Sequence, residues 1–485
     1  MKKTIKNNLF LIIIISLIFN ACSNDDENVA YENKLDLESV SSLSNDELKS
    51  LVINYKELSG NEILNIVKDF QGSALKNQKG TKSTSISFEI KNKYYINKKS
   101  EGNSVTKTTK SISEDAVQAP IYEVKFKSNS EEGLALVSGD SRYPEVIAYI
   151  PVYIDTIKIH PIGSYAMMEM AKRTLLSELE SYDIAGKTLR TATLEKISEA
   201  FNVTADNLSQ NMIDQYILAS SKNTKSRPEE SPNTPTYMNI GPLCETLWHQ
   251  GSPYNSLYPK AWVDIFFGMC EYGNYPAGCA VVAMAQIMAA IEPSMTCNSL
   301  KMDWAYLKQN PQIMGGDYFT APDPLRKRDM VGALFKDIYD KSNSYPIWGT
   351  GQSDSWPPEN VSCVQQVATT STNVYNYFNS RSGVTYCGNY QKWNLDIVKN
   401  SLTNIRPVFA GGNSHAFVVD GYVLAKKTVS SVYNYNTYLH CNFGWQYSSA
   451  TGYYLSNSNG SFTFETENGN YPDSALNIIP DIRKR

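Results

Sequence analysis

The sequence lacks an excess of charge of either sign: 45 Lys and Arg face 49 Asp and Glu, for a formal net charge of −4. This balance gives no basic stripe for a nucleic acid and no acidic solvating tail. Histidine is scarce. His160, His249, His415 and His440 are the only four, and they stand at no metal-ligand spacing. CxxC is also missing, so the pattern calls for neither a zinc site nor a metal or organic cofactor. Beyond the first twenty residues no apolar run reaches the roughly 18 residues that a spanning helix needs. What remains is a chain of 485 residues, long enough for two or three domains and a substantial core.

At the N-terminus Lys2, Lys3 and Lys6 precede LFLIIIISLIF, a charged n-region and a short apolar h-region of signal-peptide type. The run stops at Asn20-Ala21-Cys22, which resembles the box where lipoprotein precursors are cut and the cysteine is acylated. Residues 1–21 are therefore expected to be a lipoprotein signal peptide, with Cys22 as the lipidated new N-terminus. Ser23-Asn24-Asp25-Asp26-Glu27 resembles the acidic stretch that follows this cysteine in surface-exported lipoproteins. The expected address is the outer membrane, surface-exposed and held only by the lipid, with release possible after processing. Eight cysteines occur; setting aside Cys22 and Cys279 leaves six, which permits up to three disulfides in fifteen possible pairings.

Residues 22–60 read as a tether and the start of a folded region, and residues 73–113, rich in Lys, Ser, Thr and Asn, as a solvated loop or polar hairpin. Between 121 and 155 the runs IYEVKFK, GLALVSGD and EVIAYIPVYI alternate apolar and polar residues between turn signals, which predicts a small antiparallel sheet. Helices are expected over Tyr165–Tyr182, Leu194–Phe201 and Asp206–Ala219. Residues 221–236, SKNTKSRPEESPNTPT, hold three prolines and no large apolar side chain, and so form an exposed linker. Lys222, Lys225 and Arg227 offer cut points there to a trypsin-like protease. From 237 to 485 the chain turns rich in Tyr, Trp, Asn and Gly and is the size of one further domain.

That second half holds the chemistry. Gly278-Cys279 opens AVVAMAQIMAAI, apolar on nearly every face except at Gln286, as a buried helix would be. A thiol at a helix start meets unpaired N–H groups and the positive end of the dipole, both of which favour thiolate. His415, in GGNSHAFVVDGYVL, follows 136 residues later, within the roughly 130–150 that separates nucleophile and base in papain-like enzymes. Asn442, in HCNFGW, can accept from the imidazole and fix its tautomer, with aromatic neighbours Phe443 and Trp445 keeping water from that bond. Gln250, in WHQGSPYN, lies 29 residues before the cysteine, and its amide with the Cys279 N–H would form an oxyanion hole.

The segments WHQGSPYN, GCAVVAMAQIM, SHAFVVDGY and NFGW, in this order, resemble the streptopain family of papain-like cysteine peptidases, and GLALVSGDSRYPEVIAYI resembles a strand pair of that family's pro-domain. The resemblance implies an α+β protein in which residues 61–220 form an inhibitory pro-domain, 221–236 the processing linker and 237–485 the catalytic domain. It implies Cys279 as nucleophile, His415 as base, Asn442 as orienting residue and Gln250 as oxyanion donor. The substrates would be proteins or peptides, and the pro-domain would cover the cleft and displace the histidine until cut. Phe443 stands where the family usually has Trp, and Gln446–Ala450 replaces a glycine-rich loop, which predicts altered rate or substrate choice. Two other readings use the same residues: a catalytically silent surface-binding protein, and an acyl transferase working through the same thioester.

Overall fold

The computed structural model describes residues 35, 40–52, 55–74, 86–98, 105–108, 118–128, 131–153, 162–222, 237–266, 268–316, 321–412, 415–426, 435–444, 450–456, 464–466, 469–471 and 476–485. The expected signal peptide, Cys22, Trp445 and most of the expected linker lie outside them. Among the described residues no helix is long and apolar enough to cross a membrane.

The first two helices start where the sequence places capping boxes. Ser44 caps α1 (Asn45–Ser50) and Ser59 caps α2 (Gly60–Asp69), each hydroxyl accepting from the N–H three residues on while Glu47 or Glu62 returns the bond. Strands β1 (Ser87–Lys98), β2 (Val105–Thr108), β3 (Gln118–Ser128), β4 (Glu131–Ser138) and β5 (Val146–Ile150) follow. The polar stretch expected as a loop or hairpin thus supplies the β1–β2 antiparallel pair, and β1 buries Tyr94 and Ile96. Helix α3 (Ile162–Thr188) extends beyond its expected ends, and α4 (Arg190–Phe201) and α5 (Gln210–Lys222) complete the N-terminal half. Buried Arg142 ties the β4–β5 connection to α3 through Asp140 at 2.8 Å and Asp183 at 2.7 Å.

In the C-terminal half β6 (Tyr237–Ile240) leads to β7 (Lys260–Phe266) and β8 (Met269–Asn274), and then to α6 (Cys279–Ile291) and α7 (Leu325–Lys341). Strands β9 (Tyr345–Ser353) and β10 (Asn360–Ala368) close a barrel with β7 and β8. A disulfide between Cys270 of β8 and Cys363 of β10 crosses it. Cys244, Cys279, Cys297, Cys387 and Cys441 are free thiols, so one of the three permitted bridges is present among the described residues.

The remaining strands of the large sheet are β11 (Gln391–Lys392), β12 (Val408–Gly412), β13 (His415–Lys426), β14 (Tyr435–Asn442), β15 (Gly452–Leu455) and β16 (Asn477–Ile479). One sheet runs β11-β16-β12-β13-β14-β15-β5-β4-β3-β1-β2, with β6 also paired to β13. The sheet expected in the N-terminal half is thus continuous with that of the C-terminal half, through Tyr453 opposite Tyr149 and Tyr454 opposite Ala148.

Alternation along β13 divides two cores. Phe417 and Val419 enter a core shared by both halves, with Phe70, Tyr94, Leu136, Tyr149 and Tyr438, whereas Ala416 and Val418 enter a second around α6, with Trp248, Val281, Met284 and Phe335. A third, smaller cluster of Val40, Leu43, Phe201 and Tyr216 holds the N-terminal helices together.

Candidate active site

Gly278 sets the nucleophile's position. Its φ of +85° belongs to glycine, and a Cβ there would stand 2.7 Å from the Val367 carbonyl of β10. The chain can therefore pass against the barrel and turn at once into α6. No side chain caps this helix and its first turn carries no acidic residue, so its N–H groups are left for Cys279. The thiol receives a hydrogen bond from the Ala416 N–H at 3.3 Å, and the N–H dipoles of Ala280 and Cys279 at the helix start add to its effect. These pull its pKa down, but burial is the larger effect and leaves it above the ordinary thiol value.

The Ala416 N–H comes from the residue after His415, the first of β13. The His415 imidazole stacks at 6.5 Å on Phe417 and lies 6.2 Å from Phe443, and both of these rings belong to the shared core. Burial lowers its pKa from the ordinary 6.5 to about 4, opposed only by the nearby Phe443 backbone. At neutral pH both groups are therefore uncharged in this state, a thiol and a neutral imidazole.

Asn442 stands beside this arrangement with other partners. Its Nδ2 donates to the Thr246 carbonyl at 2.9 Å and to Gln286 Oε1 at 3.0 Å, and its Oδ1 accepts from Gln286 Nε2 and the Gly444 N–H, each at 3.1 Å. The Asn442 amide, expected to accept from the imidazole, is thus engaged here by Thr246, Gln286 and Gly444. Phe443 is buried and packs on Phe417 at 5.0 Å and Tyr454 at 5.9 Å.

Gln250 reaches the nucleophile's turn: its Oε1 accepts from the Gly278 N–H at 3.1 Å, and its own carbonyl accepts from the Ala277 N–H at 2.9 Å. Fixing Oε1 on the backbone leaves Nε2 as the outward donor one residue from Cys279. His440 pairs with buried Asp420, Nδ1 to Oδ1 at 2.6 Å. His249 packs edge-on against Tyr254 and accepts from the Gly251 N–H. His160 lies outside the described residues. The sequence reading missed the pairing of Gln286 with Asn442, whose signal was the polarity of Gln286 in an apolar helix.

Residues 248–454 match the Peptidase C10 family. The chain is also similar to the solved structure of a Prevotella intermedia prointerpain A fragment carrying a cysteine-to-alanine mutation, at 16% identity and a TM-score of 0.39, over 76% of this chain and 96% of that one. Similarity to the active wild-type Prevotella intermedia interpain A cysteine protease is 17% with a TM-score of 0.32, over 50% of this chain and 95% of that one. A search of curated proteins found no match.

Proposed function

From the premise that residues 248–454 belong to the peptidase C10, or streptopain, family, we propose that the chain is the precursor of a cysteine endopeptidase in which the N-terminal half holds the site at rest. The observation that carries this reading is the Cys279 thiol at the mouth of an uncapped helix, in contact with the residue that follows His415. In the active state the Cys279 thiolate attacks a peptide carbonyl and His415 protonates the leaving amine. A water deprotonated by His415 then releases the acid from the thioester. Gln250 Nε2 and the Cys279 N–H receive the oxyanion.

The resting state follows from strand parity. Cys279 packs on the α6 side of the sheet, whereas the His415 ring packs with Phe417 and Phe443 toward the core that residues of the N-terminal half complete. The Ala416 N–H occupies the thiol, and burial keeps the imidazole neutral. Loss of the N-terminal half would open the shared core and let the ring turn toward the sulfur. Residues 61–220 are read as the inhibitory pro-domain and 221–236 as the linker whose cutting begins activation. Lipidation at Cys22 would place the precursor on the outer membrane.

The test is casein cleavage by the full chain before and after a trace of trypsin, beside Cys279→Ala. Activity that appears with linker cutting, is blocked by a thiol alkylator and falls by roughly a thousandfold or more in the variant is the expected result. Silence after clean cutting, across several protein substrates, would overturn the peptidase reading.

A further inference from the structure

We infer that Gln286 is a positioning residue for the catalytic pair, acting through Asn442 and the turn at Phe443; the inference rests on the peptidase reading above. Gln286 is seven residues after Cys279, within about 20° of two full helical turns, so it lies on the same face of α6 roughly 10 Å farther along. Apart from Cys279 it is the only polar side chain in that helix, and it is fully buried. An unsatisfied amide in such a place costs a few kcal/mol.

Its amide is met by a reciprocal pair with Asn442, at 3.1 and 3.0 Å. The backbone fixes which way both amides face. The Thr246 carbonyl can only accept, so Asn442 Nδ2 must point there; the Gly444 N–H can only donate, so Asn442 Oδ1 must point to it. Turning either amide over would set donor against donor.

The consequence lies in what this clasp surrounds. By bonding the Gly444 N–H, the Asn442 side chain closes a short turn around Phe443, whose ring lies 6.2 Å from the His415 imidazole. Gly444 has a φ of +67°, and a Cβ there would come within 2.5 Å of Val282 Cγ1. Residues 442–444 therefore run back along α6 toward its start, touching it first at Gln286 and then at Val282. The aromatic ring beside the base is thereby located against the same helix that carries the nucleophile. Without Gln286, Asn442 keeps Thr246 and Gly444 but loses its hold on α6, and Phe443 with the imidazole beside it is free to shift relative to Cys279.

The experiment compares wild type, Gln286→Leu and Gln286→Glu as full chains, each before and after linker cutting. It reads melting temperature, kcat, KM and the pH midpoint of Cys279 alkylation by iodoacetamide, followed by mass spectrometry of the Cys279 peptide. Q286L should lower kcat about tenfold or more with KM within about twofold, since misplacement rather than lost binding is the fault. Its alkylation midpoint should rise, because the thiolate loses a well-placed imidazolium. Q286E can accept from Asn442 Nδ2 at any pH but donates to Oδ1 only when protonated, so its kcat should recover relative to Q286L as the pH falls. Unchanged kcat and alkylation midpoint in Q286L would overturn the inference, as would losses that merely follow melting, with Q286E matching Q286L at every pH. Should cut wild type hydrolyse nothing, the peptidase reading fails separately. The alkylation midpoint then decides the clasp: shifted in Q286L supports it, unshifted overturns it.

Discussion

The two large cores on either side of β13 are built from different parts of the chain. The core around α6 draws only on residues from Cys244 onward, whereas the other joins Phe70, Tyr94 and Tyr149 to Phe417, Tyr438 and Tyr453. Cys279 and its turn are thus supported by one half alone, while the ring of the proposed base rests against a core that two halves complete. The proposed catalytic construction and its proposed restraint are separated by the thickness of one strand, because successive residues of a strand face opposite ways.

Truncation of one aromatic in each core should break the symmetry most sharply. Phe335 packs on Trp248 at 5.9 Å and Tyr254 at 5.1 Å, so Phe335→Ala should cost roughly 3–5 kcal/mol and reduce activity of the cut enzyme along with its stability. Phe70 lies 4.8 Å from Tyr438 and 5.6 Å from Tyr149. Phe70→Ala should cost a similar roughly 3–5 kcal/mol, but appear as faster parting of the halves in gel filtration after cutting, with cut-enzyme kcat unchanged. Equal loss of kcat in both variants would dissolve the distinction.

Acid should act on both sides at once. His249 and His415 are each lowered by burial from the ordinary 6.5 to about 4. In the unfolded chain each imidazole takes its proton near 6.5, but in the fold only near 4. Their contribution is therefore complete above 6.5 and falls away as the pH drops through that window, on the order of 3 kcal/mol per histidine. Urea midpoints at pH 7 and 4.5 should differ accordingly, and His249→Phe should remove its share of the slope. A flat profile would show that neither ring is desolvated as the packing indicates.

The smallest effect concerns the join itself. Tyr438 donates from its hydroxyl to the Val146 carbonyl at 2.9 Å, so Tyr438→Phe should cost about 1 kcal/mol in urea denaturation and slightly hasten separation of the cut halves. No change would show that this hydroxyl adds nothing to the join beyond the packing of its ring.

Local signals were readable wherever local physics decides the outcome. The start of α6 at Cys279 follows from glycine before an unbroken apolar run, and β3 to β5 from alternation between turn signals. What escaped is non-local. The merging of two sheets depends on which edge strands meet, and Tyr149 and Tyr453 lie 304 residues apart. The pairing of Cys270 with Cys363 could not be chosen from fifteen by spacing, because barrel closure brings those strands together. At the candidate site the side chains of Cys279, His415, Asn442 and Gln250 were named from residue type, but the clasp of Gln286 on Asn442 depends on how α6 packs against residues 442–444.

The strand seam between β5 and β15 also has a mechanical meaning. Among the described residues two pairs, Tyr149 with Tyr453 and Ala148 with Tyr454, lace these strands together. A pull that parts the strands sideways loads those few bonds one after another, like a zip, whereas a pull along the strands loads them together. The seam would therefore open or hold according to the direction of force.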